Sequence, residues 1–341
     1  MVSDLDRQLI ATLTHRAGGD VDPTPIVEQA RRRGRRLRRR QNGLLVAGTA
    51  AACVALAALV STMATAGDPR PPATALLLPE ATVQNGLAVG ADPTTVHFSA
   101  DALVGGAESA TWRAGRGSES VEFRGPAGSA RFALARSIAA LDALPQTLSS
   151  SGRPQPRTDV RVGNLPGVAW FDPSGDQKLW FVRWQPADGL WAQLDTYAAT
   201  SAEAVATAGQ VRFDGARRCV VPFRLESLPA GARLLECTVT FGRSGKGAFV
   251  EGSLVVGDDA GRWLTVRAQP APSHRVRSAD LVAGPYRARR QGDDVLEMTV
   301  EPCFVEAFRE GWGNGYTEAE GLVILGGYRP TGDVNHPDTW R

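Results

Sequence analysis

The residues of this 341-residue chain that could do chemistry are its four histidines, its four cysteines and a few adjacent carboxylates. His97, His274 and His336 stand without a Ser or Cys nucleophile in a recognisable elbow and without a carboxylate in a metal-ligand pattern. His97 falls within a predicted strand, where a lone imidazole reads as a half-buried side chain. The run GRSGKG at 242–247 has the glycines of a phosphate loop but not the GxxxxGK[ST] spacing, and it lies between two predicted strands. A hairpin tip is the expectation there. Asp258 and Asp259, like Asp293 and Asp294, are neighbours in turns. Adjacent strand residues face opposite ways, so neither pair makes an acid/base dyad by itself. No catalytic residue, cofactor site or metal site is expected.

The cysteines and tryptophans carry the remaining candidates. Cys53 lies in an apolar run, whereas Cys219, Cys237 and Cys303 lie in the globular part; three thiols allow one disulfide with three pairings. No CxxC or HxxxC spacing supports zinc. Trp180, Trp184 and Trp191 belong to an aromatic group, with Trp170 and Tyr197, that fits either a ligand face for a glycan or lipid or the core of a domain. Alternation along the strand around Trp180 favours core for most of them.

The elements that would position these residues begin with residues 43–66, GLLVAGTAAACVALAALVSTMATA, which contain no charge. About 20 apolar helical residues cross a bilayer, so this is expected to be a single transmembrane helix. Eight of the ten residues at 31–40 are arginine, which places the N-terminus on the cytoplasmic side. Ala64, Thr65 and Ala66 form an A-x-A site, but the apolar core is longer than that of a signal peptide and follows 42 residues. A retained anchor is expected. Before it, Leu5, Leu9 and Leu13 lie on one face of a short amphipathic helix. That stripe either docks a cytoplasmic protein or rests on the membrane surface. Residues 1–42 carry ten arginines against five acids, +5, and the rest sums to −3. A mildly acidic outer part has no footprint for nucleic acid.

Beyond a Pro-rich stalk at 67–95 comes an internal repeat. VHFSADALVGGAESATW from Val96 aligns with VPFRLESLPAGARLLEC from Val221, and Pro186 and Ser201 fall on Pro302 and Thr317 at a second offset. Two copies of one domain are expected, at 96–215 and 216–341. In the first, short segments at 120–124, 130–136, 159–162, 167–171, 179–184 and 190–197 read as strands, and SAEAVATAGQV, with Ser201 as cap, reads as a closing helix. The expected fold is therefore α+β, a single transmembrane helix followed by two tandem antiparallel-sheet-plus-helix domains.

An opening segment ending LPxG (Phe223, Leu228, Pro229, Gly231), a V-x-G strand start (Val162, Gly163), a Trp-rich hairpin (Trp180, Trp184) and a closing helix at 201–204 resemble the extracytoplasmic domains of bacterial single-pass anti-sigma-like membrane regulators. The resemblance implies a sensor or interaction module without catalysis. The cytoplasmic part departs from that family, because His15 has no cytoplasmic cysteine beside it and the segment is short. The expected function is thus a membrane-anchored extracytoplasmic sensing or binding protein. Its partners would be an envelope ligand or protein outside and a cytoplasmic protein at the N-terminal helix. The rivals are an envelope enzyme with a site between the two repeats and a structural envelope protein.

Overall fold

Strands dominate the computed structural model, which describes residues 76–81, 88–126, 128–144, 156–172, 178–244, 247–270, 276, 278–308, 315–332 and 339–340. All of these belong to the unit Ala66–Arg341. The helix carrying Leu5, Leu9 and Leu13, the apolar run at 43–66, and His274 and His336 lie outside the described residues. Among the described residues no helix is long and apolar enough to cross a membrane.

The first half contributes β1 (Thr95–Val96), β2 (Ser109–Gly115), β3 (Ser118–Gly125), β4 (Gly128–Ala135), the short helix α1 (Ile138–Asp142), β5 (Thr158–Val162), β6 (Leu165–Asp172), β7 (Leu179–Ala187), β8 (Leu190–Tyr197) and α2 (Ser201–Ala208). The second contributes β9 (Arg217–Arg218), β10 (Phe223–Leu225), β11 (Arg233–Ser244), β12 (Gly247–Gly257), β13 (Trp263–Pro270), β14 (Leu281–Ala283), β15 (Tyr286–Gln291), β16 (Val295–Val300), β17 (Cys303–Phe308), α3 (Glu318–Gly326) and β18 (Tyr328–Pro330). Thr200, one residue earlier than expected, caps α2 by accepting from the Glu203 N–H. Thr317 and Glu320 form a full capping box on α3.

The expected α+β class with two separate sheet-plus-helix domains is overturned. One 14-stranded antiparallel sheet runs through both halves in the order β14-β15-β16-β17-β13-β12-β11-β2-β3-β4-β8-β7-β6-β5. Read outward from the middle, each half is a three-strand meander whose third strand pairs with the last of a four-strand meander. The halves join where β2 and β11 pair over six residues, from Glu236 opposite Gly115 to Phe241 opposite Ala110. The physical reason is an edge: the first strand of each meander would otherwise present unpaired N–H and C=O groups, and each satisfies the other's.

One face of this sheet is apolar. Trp112, Val121, Phe132, Leu194 and Val182 alternate inward in the first half, and Val239, Leu254, Val266, Ala307 and Leu296 in the second. α2, α3 and the segments leading into each meander cover this face, with Leu76, Leu78, Phe98 and Phe223 joining a single core. Phe98 meets Phe132 edge-on at 4.6 Å, and Trp112 meets Phe123 at 5.9 Å. The Trp112 indole Nε1 donates to the Leu76 carbonyl at 2.9 Å. Cys219 and Cys237 form a disulfide that fastens the entry of the second half to β11; Cys303 is free and buried.

Gly115 sits where the halves meet. Its φ is +115°, and a Cβ there would lie 2.1 Å from the Leu235 carbonyl oxygen, a backbone atom that cannot swing away. Gly115→Ala should therefore lose at least about 1 kcal/mol of stability, with a further cost from displacing β11. Gly163→Ala, with φ +60° and open space around it, bears only the conformational part. Urea unfolding of both variants checks this, and equal losses would remove the close approach as the cause.

Candidate functional site

The opposite face of the sheet is polar and accessible where the halves join. α1 stands on this face over β4 and β8, with Leu141 packed against Ala133, Ala135 and Trp191. Its Ser137 N-cap accepts from the Ala140 N–H at 3.1 Å. Between α1 and the strands of the second half runs a groove of about 600 Å³. Its floor alternates hydroxyls and charges: Arg113 on β2, Glu236 and Thr238 on β11, Glu251 and Ser253 on β12, Thr265 and Arg267 on β13. Arg113 Nε lies 3.3 Å from Glu236 Oε1, and Arg267 Nη2 donates to Glu251 Oε2 at 2.9 Å. Trp263, Phe308, Ala140 of α1 and Leu144 just beyond it contribute to the walls.

Arg116 differs from the other charges here. It is the first residue of the two-residue turn between β2 and β3, where Gly115 pairs with Ser118. Both turn residues have positive φ, +52° at Arg116 and +86° at Gly117, as in the type I′ turn that favours Asn-Gly. Holding a long L-side chain in the left-handed region costs about 1–2 kcal/mol. Its guanidinium reaches across the joint to lie 4.9 Å from the ring centre of Trp263, and it forms no ion pair among the described residues. Strain of this kind persists only where surrounding contacts enforce it, and it concentrates at functional positions.

What enforces it lies just behind the turn. Gly117 N–H donates to the Gly90 carbonyl at 2.8 Å. The fully buried Glu119 carboxylate accepts from Gly90 N–H at 3.0 Å, from His97 N–H at 2.6 Å and from His97 Nδ1 at 2.7 Å. Burial alone would push the His97 pKa down, but the hydrogen bond and charge of Glu119, helped by Asp92, outweigh it and leave the pKa above its ordinary value.

A second polar cluster lies on the same face further into the first half. Asp195 accepts from Gln193 Nε2 at 2.7 Å, and Arg183 donates to Gln193 Oε1 at 2.9 Å and to Asp142 at 2.7 Å. Burial, with the nearby Glu122 adding to it, pushes Asp195 up to about 6 against the pull of Arg131, Gln193 and Arg183. At 5 % exposure Asp195 is closed off from ligands, and the cluster holds α1 to the sheet.

The residues singled out from sequence are dispersed. Trp184 is buried in the core, Trp180 packs against that core from the same face, and Trp191 is on the opposite face beneath α1. The three do not share a face. His97 is buried, at 7 % exposure, in the Glu119 clamp. The 242–247 run joins the paired ends of β11 and β12. The groove residues were missed because their spacing is tertiary. The signal that was available is AGRGSES at 114–120, a long cation between two glycines in a turn.

No family model matches this chain, and no curated protein matches it in sequence. Among solved structures it is similar to a chain of the crystal structure of MucB in complex with MucA(peri), at 16% identity over 65% of this chain and 92% of that one, with a TM-score of 0.21. It is likewise similar to a chain of the complex structure of Pseudomonas aeruginosa MucA/MucB, at 14% identity, the same coverage and a TM-score of 0.22. At those TM-scores neither likeness establishes a shared fold.

The His97 clamp has a definite pH signature. Because the folded pKa is raised, the stability it contributes is fully present below about pH 6.5, the unfolded value, and is lost as pH rises through the folded value. The native protein should lose stability relative to His97→Gln as the pH is raised above about 6.5, read as urea midpoints. Parallel curves for the two proteins would exclude the clamp as a titrating element.

Proposed function

We propose that this protein is a membrane-anchored extracytoplasmic binding and sensing protein that performs no reaction, with the groove across the joint as its ligand face. The observation that carries the reading is the lining of that groove. Among the described residues its two carboxylates, Glu236 and Glu251, are each engaged by an arginine, and no histidine or cysteine lines it. A hydrolytic or transfer site needs a group free to take or give a proton. Ion pairs interleaved with hydroxyls instead offer fixed donors and acceptors for recognition. Anchoring rests on residues 31–66, where the arginine run precedes 24 uncharged positions. The disulfide suits an oxidising compartment outside the membrane. Occupancy of the groove would be communicated inward to a cytoplasmic partner of the helix bearing Leu5, Leu9 and Leu13, the arrangement of an anti-sigma-like regulator.

A photocrosslinking amino acid at Thr238, on the groove floor, tests the reading in native membranes, with Asp259, whose side chain is 87% exposed in a turn, as the control position. Ultraviolet light should yield an adduct from Thr238 and none from Asp259, and a cytoplasmic protein should be recovered only from chains that retain residues 1–20. Identical adducts from both positions, or none from Thr238, would reject the groove as the ligand face.

A further inference from the structure

We infer that the groove binds an acidic oligosaccharide, with Trp263 as the platform for a sugar ring and Arg116 as the partner of its carboxylate; this rests on the binding role proposed above. The floor excludes other ligand classes in turn. β2, β11, β12 and β13 each have a neighbour on both sides, so their backbone groups are taken and an extended peptide cannot add as a further strand. An acyl chain would strip water from Arg113, Glu236, Glu251 and Arg267 without replacing its hydrogen bonds. A nucleic acid backbone requires uncompensated cations in series, whereas Arg113 and Arg267 are already paired with glutamates.

A saccharide has what remains. It is dense in groups that both donate and accept, which suits the hydroxyls of Thr238 and Ser253, in register between Arg113 and Arg267, and of Thr265 nearby on the floor. Its C–H face carries partial positive charge and packs on the negative face of an indole. Among the described residues Trp263 is the indole lining this groove, and Arg116 lies over its ring, 4.9 Å from the centre, so a stacking sugar takes the place of the guanidinium on the indole and the guanidinium turns aside to the carboxylate. A planar guanidinium without an ion pair among the described residues is suited to a carboxylate, which it grips with two parallel hydrogen bonds. The acid group therefore belongs beside the ring that stacks on Trp263. The turn makes this assignment specific. A residue with positive φ at the first turn position is ordinarily Asn or Gly, and the arginine found there instead supplies a cation that reaches from the first half of the sheet to Trp263 of the second.

The test uses the full chain in detergent micelles and calorimetric titration with four probes: tetragalacturonate, a hyaluronan tetrasaccharide, and the carboxyl-reduced neutral form of each. At least one acidic probe should bind saturably and its neutral form roughly tenfold or more weakly. Arg116→Asn should cause a similar loss while its melting temperature stays at or above that of the native protein, since the substitution creates the Asn-Gly pair the turn favours. Trp263→Leu should weaken both forms. Equal affinity for acidic and neutral probes, or full binding by Arg116→Asn, overturns the role of the arginine and with it the acidic class. No binding of any probe by a protein that still crosslinks from Thr238 overturns the saccharide and leaves the binding role standing; loss of both signals removes both.

Discussion

The pairing of β2 with β11 is the constraint on which the rest of the molecule depends. Seven strands on either side each form an antiparallel unit, and the inner edges of the two units, β2 and β11, close on each other while β5 and β14 end the sheet. Everything notable about the polar face follows. The groove exists because the strands that line it come from both halves, and its shape depends on how closely β2 and β11 approach. Gly115 permits that approach and the disulfide at Cys237 fastens the second strand of the pair. A cross-strand contact between Thr111 and Thr240 hydroxyls at 3.2 Å repeats the junction on the polar side.

The two faces divide the labour. Apolar alternation on the inner face, extended by the segments that carry Phe98 and Phe223, gives one continuous core from 14 strands. On the outer face the carboxylates Glu236, Glu251 and Asp195 are held by arginine or glutamine partners, and Glu119 does not belong to that face. Glu119 itself reaches the inner side, where it holds the His97 loop and braces the turn from behind. The strained arginine at the turn is thus supported through Gly90 by a buried carboxylate on the far side of the sheet.

Much of the strand content was legible in the sequence. The segments at 190–197 and 167–171 stand out by β-branched and aromatic residues bounded by turn compositions, and the strand order repeats in the two halves at different spacings. The class was misread at one strand. β2, SATWRAG, is rich in Ala, Ser and Gly and scores poorly for strand propensity, yet Ala110 and Ala114 are small because β11 and the core press against them. Without β2 the halves read as separate domains, and with it they share a sheet. The groove was illegible for a related reason: its residues run from Arg113 to Phe308 and come together only through the strand order. The tryptophans drew attention by type, but type does not say which side of a pleat a residue occupies once three strands are involved.

Trp112 and Arg113 are consecutive residues on opposite sides of β2. One carries the hydrogen bond to the Leu76 carbonyl, the other forms part of the groove floor. A substitution that displaces this strand therefore disturbs the core hydrogen bond and the groove floor together.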